Sequence, residues 1–84
     1  MNKLELCYHA EKNKYRIILK PLFWDLHIAD LLGIDRDKYA KILYKNGAEI
    51  NFYNTRRFYF SNKEDAERVI DILEPFWILA NLTE

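Results

Sequence analysis

The chain has 84 residues, half of them hydrophobic and 15% aromatic, which suffices for one small core and excludes a disordered polymer. Thirteen basic and thirteen acidic residues cancel, which counts against a protein that grips nucleic acid over a large basic surface. Cys7 is the only cysteine, so neither an internal disulfide nor a cysteine-built zinc cage is available.

In chain order, Leu4, Leu6 and Tyr8 alternate with Glu5, Cys7 and His9, the period of a strand. Asn13 suits a left-handed turn, and Tyr15, Ile17 and Leu19 alternate again, which predicts a β-hairpin. Pro21 stops the ladder because it has no N–H to donate. From Phe23 the period becomes helical, with Leu22, Leu26, Ile28, Leu31 and Leu32 on a wide apolar stripe and Gly33 as its C-cap. Asp35 offers an N-cap for a second helix whose inner stripe is Tyr39, Ile42 and Leu43 and which ends at Lys45 and Gly47.

Ile50 and Phe52, then Phe58 and Phe60, alternate on two further strands whose connecting tip carries Arg56 and Arg57. Ser61 or Asn62 caps a helix with acidic residues in its first turn and Ala66, Val69, Ile70 and Leu73 inside. Pro75 is expected to break that helix and open a short final one. The expectation is an α+β fold, a single domain over residues 1–84. Its order is an N-terminal β-hairpin, helix-turn-helix, β-hairpin wing and C-terminal helix or helix pair, ββααββαα.

The neutral total hides a gradient. Residues 1–33 carry +1, residues 34–60 carry +3 and residues 61–84 carry −4. The basic centre coincides with "IADLLGIDRDKYAKI", where Ala29 is small at a helix crossing and Gly33 is free to take positive φ. Ile28, Leu32, Ile34, Tyr39 and Ile42 fall where two helices would lock together.

This stretch, with "NGAEINFYNTRRFYFSNKEDAERVIDIL" after it, resembles the winged helix-turn-helix of the excisionase and MerR-like families over roughly residues 22–74. The whole chain, and "NKEDAE" and "LEPF" in particular, is also similar to small uncharacterised proteins of phages and mobile elements of Gram-positive bacteria. The resemblance implies a DNA-binding regulator or excisionase-like factor with residues 35–45 as recognition helix. Arg36 would reach base edges, Lys38, Lys41 and Lys45 would lie on the exposed side, and Arg56 and Arg57 would meet phosphate or the minor groove. Asn54 and Thr55 would add hydrogen bonds, while Asp35 and Asp37 work against phosphate.

A competing expectation is a protein-binding module on the same scaffold, a phage counter-defence or host-takeover protein that inhibits a host factor such as an immune nuclease. The acidic C-terminal third and Tyr44, Tyr53 and Tyr59 favour it, since tyrosine is enriched at interface hot spots. Phe76, Trp77, Ile78 and Leu79 cannot all face one core. One face is expected to pack on the N-terminal hairpin and the other, with Phe76, Trp77 and Leu79, on a second copy or partner.

His9 and His27 are too far apart to pair at ligand spacing, and with two glycines no phosphate-cradling loop forms, so no metal, cofactor or enzyme activity is expected. The charged N-terminus and the lack of any ~20-residue apolar run predict a soluble cytoplasmic protein.

Overall fold

A computed structural model describes residues 3–20, 28–50 and 58–82. Strands β1 (Lys3–His9) and β2 (Lys14–Lys20) pair antiparallel, with Leu4 opposite Leu19, Leu6 opposite Ile17 and Tyr8 opposite Tyr15. That register puts every apolar residue of the predicted alternation on one face, and Asn13 takes the positive φ of 52° the turn needs.

Helix α1 is described over Ile28–Leu32 and buries Ile28, Ala29 and Leu32. Its end is a Schellman turn. The Gly33 N–H bonds the Asp30 carbonyl at 3.2 Å and the Ile34 N–H bonds the Ala29 carbonyl at 3.1 Å, with Gly33 at φ +73°. Helix α2 (Arg36–Lys45) follows at once, and the Asp35 side chain accepts the Lys38 N–H at 3.4 Å as its N-cap. Tyr39 and Leu43 are buried and Ile42 is half-buried, as the stripe predicts. Tyr39 fits because its ring stands edge-on to Phe58, 5.9 Å away.

Strands β3 (Ala48–Ile50) and β4 (Phe58–Phe60) are antiparallel, and helix α3 (Lys63–Leu82) ends the described chain. Asn62 directly precedes α3, and its carbonyl accepts the Ala66 N–H. The two hairpins are not separate. Tyr15 pairs with Phe60, so β2 and β4 join them into one sheet of order β1-β2-β4-β3. The second hairpin is therefore part of the sheet at its base rather than a free wing.

The core lies between one sheet face and the helices. Leu4, Ile17, Leu19 and Phe60 of the sheet meet Ile28, Ala29 and Leu32 of α1, Tyr39 and Leu43 of α2, and Ala66, Val69 and Leu73 of α3. The opposite sheet face holds Ile18, fully buried, and Tyr59, only 3% exposed.

Three expectations need correction. The C-terminal region is one helix of 20 residues with Pro75 inside it, not a pair, so the order is ββααββα. The reason is a stripe that runs past the proline. Ala66, Val69 and Leu73 are buried, Phe76 and Trp77 pack on the same core, and exposed Pro75 lies on the opposite side of the helix. Burial of that stripe offsets the ~3 kcal/mol that an interior proline costs. Leu31, expected inside, is 37% exposed. Tyr59, expected at an interface, is buried. The expectations for Pro21, Leu22, Phe23, Leu26, His27, Phe52 and Tyr53 lie outside the described residues.

Candidate functional site

The outward face of α2 follows from its buried one. Tyr39 and Leu43 fix the inner side, so Asp37, Lys41, Tyr44 and Lys45 line the outer side with Lys38 at its flank. All five are exposed. Lys41 and Lys45 form no ion pair among the described residues. Lys38 is partly committed, since its ammonium lies 5.1 Å from the centre of the Phe76 ring on α3.

Arg36 is placed differently from its neighbours. It is the first residue of α2 and stands three and seven residues before Tyr39 and Leu43, on the inner side of the helix. Its guanidinium reaches back across the turn to α1. Nε donates to Asp30 Oδ1 at 3.1 Å and Nη2 to Asp30 Oδ2 at 2.7 Å, a bidentate pair. The hydrogen bonds Arg36 donates to Asp30, and then the carboxylate's charge, raise the guanidinium pKa further above its ordinary value. One edge of the guanidinium, formed by Nε and Nη2, is thus taken up by a carboxylate.

The acidic residues of α2 divide as well. Asp35 is taken up by the Lys38 N–H as the helix cap, whereas Asp37 stays exposed on the lysine face. Asn54, Thr55, Arg56 and Arg57, the expected wing-tip contacts, lie outside the described residues.

A second surface runs along the C-terminal half of α3. Ile78, Leu79 and Leu82 are 53%, 61% and 74% exposed, while Phe76 and Trp77 are half-buried against the core. An open groove of about 640 Å³ lies between this half-helix and the α1–α2 turn. Leu31, Ile34, Phe76 and Leu79 line it, with Asp30 and Lys38 at its polar parts. Of the three α3 residues expected at a dimer or partner interface, Leu79 is the most available, while Phe76 and Trp77 are half-buried.

On the other sheet face, Lys14 of β2 reaches over β4 to pair with Glu49 of β3, and Ser61 Oγ donates to the other Glu49 oxygen at 3.0 Å. These contacts, led by the Lys14 hydrogen bond, hold the Glu49 carboxyl below the ordinary carboxylate range. Beside them His9 stands edge-on to Tyr59, 5.9 Å between ring centres, and the Lys12 ammonium lies 4.9 Å from the Tyr59 ring.

Asp30 is the site residue that sequence reading missed. The available signal was an Asp and an Arg six residues apart with a turn glycine between them. No described helix is long and apolar enough to cross a membrane. No family model, curated protein or solved structure matches the chain.

Proposed function

We propose that this protein binds duplex DNA without catalysing a reaction, as a small regulator or excisionase-like factor of phage or mobile-element type. The observation that supports it is the outward face of α2, where Lys41 and Lys45 flank Tyr44 and no carboxylate pairs with either lysine among the described residues. Such lysines suit phosphate oxygens, which supply most of the sequence-independent affinity for DNA. Asn54, Thr55, Arg56 and Arg57 follow α2 in the chain and are proposed as the wing-tip contacts. Lys38 is proposed at the edge of the interface, and Arg36 beside the turn.

The test is an anisotropy titration of a labelled duplex between about 50 and 200 mM salt. The expected result is micromolar or tighter binding whose logarithm falls with log salt with a slope of about −3, reflecting a few phosphates. Replacing both Lys41 and Lys45 by Ala should flatten that slope by about two. Absence of binding at the lowest salt sinks the reading.

The open groove beside Leu79 favours a second reading, a protein-binding module that engages a host factor or a second copy through Phe76, Trp77 and Leu79. Self-association would appear in sedimentation equilibrium as a mass that rises with concentration and returns to the monomer in Leu79→Asp. A monomer at every concentration removes the homodimer.

A further inference from the structure

We infer that a second copy of this chain covers the outer face of α3, its helix parallel to the first, with Asp71 of each copy set against Lys38 of the partner subunit. This rests on the reading of α3 as a docking surface and names its occupant.

The helix carries two apolar stripes. Ala66, Val69 and Leu73 face the core, with Phe76 and Trp77 half-buried beside them. Ile72, Pro75, Leu79 and Leu82 recur on the outer side at spacings of three, four and three residues, and all four are exposed. That spacing is the a/d seam of a paired helix. One stripe suffices to hold a helix on its own core, so the second is left for another molecule. Through Leu79 it runs into the groove lined by Leu31 and Ile34. The seam spans residues 72 to 82, about 15 Å of helix. So short a contact suits a weak, exchanging dimer.

Charge identifies the occupant. From Val69 to Leu82 the helix has no Lys or Arg. Asp71 borders the seam on one flank, is exposed, and forms no ion pair among the described residues. Phe76 borders the other flank, and the exposed Lys38 ammonium lies 5.1 Å from the centre of its ring. The chain thus carries both halves of a charge match, one on each side of an apolar stripe, and is complementary to itself. In a parallel pair opposite flanks meet, and a g position faces the e position five residues on. Asp71 therefore faces the partner's Phe76 and the partner's Lys38 upon it, and two-fold symmetry makes the contact twice. An antiparallel pair would set like flanks together, carboxylate against carboxylate and ammonium against ammonium.

Sedimentation equilibrium on the full chain tests this with two charge reversals, Lys38→Glu and Asp71→Lys. Both side chains are exposed, so circular dichroism should show each variant folded. Either reversal alone sets like charges together twice per dimer and should weaken self-association about tenfold at low salt. Mixing the two variants pairs opposite charges again at both contacts. The mixed dimer should return to within about threefold of the unmodified protein. A dimer unaffected by either reversal, or no recovery on mixing, overturns the parallel arrangement while leaving α3 as a docking surface. An unmodified protein that stays monomeric up to about 1 mM removes the homodimer, and the arrangement falls with it.

Discussion

At the scale of single residues, the two glycines separate two costs that are usually confounded. Gly33 has φ +73° and open space where a Cβ would go. Gly47 has φ +101°, and a Cβ there would stand 2.7 Å from Asp65 Oδ2 and 3.3 Å from its Cγ. Asp65 is not free to swing away without loss, because Oδ1 accepts from Arg68 at 3.0 Å and Oδ2 from Asn62 at 3.4 Å. Gly33→Ala should therefore cost only backbone strain, ~1 kcal/mol, and Gly47→Ala about 2–3 kcal/mol. Urea unfolding midpoints with unchanged slopes would measure both; equal losses would show that Asp65 relaxes freely. Asp30 and Arg36 make the complementary point, since neither is buried, yet their pairing bridges α1 and the first turn of α2.

At the scale of elements, legibility tracked local physics. The β1–β2 register was readable because alternation fixes which face each side chain takes, and a slip by one would expose Leu4, Ile17 and Leu19 together. The α1–α2 turn was readable because Gly33 and Asp35 have specific backbone and capping roles. Pro75 misled because a proline's local cost is visible in the sequence, whereas the stripe from Ala66 to Trp77 that outweighs it counts only once a sheet lies beneath it. The Arg36–Asp30 pair was hidden for a related reason. Helical spacing placed Arg36 near the helix entry, but its partner sits on another helix, and such a contact has no signature in the spacing of α2 alone. The candidate lysine face was legible, because Tyr39 and Leu43 define it by exclusion.

At the scale of the whole molecule, the least legible feature is the join between the hairpins. It rests on the β2–β4 pairing at Tyr15 and Phe60 and on the core behind it, both long-range in sequence. Across the other sheet face that join is reinforced by Lys14, Glu49 and Ser61, which tie β2 to β3 over the intervening strand. The Glu49 carboxyl is held below its ordinary value, so its folded pKa is lower than its unfolded one. Such a group contributes stability that is fully present above the unfolded pKa and is lost as pH falls through the depressed folded value. The effect belongs on the acid side, below the ordinary glutamate value of 4.5, and vanishes at neutral pH as a source of pH dependence. Half of the Glu49 side chain is exposed, so solvent screening keeps the contribution small. Glu49→Gln should accordingly lower the urea midpoint slightly at pH 7 and should shrink the drop between about pH 5 and pH 3 relative to the unmodified protein. Raising salt should narrow the difference between the two proteins at pH 7, because the Lys14 pair is screened. An acid limb unchanged by Glu49→Gln would mean that other carboxylates govern acid unfolding and that the tie across β4 adds no stability of its own.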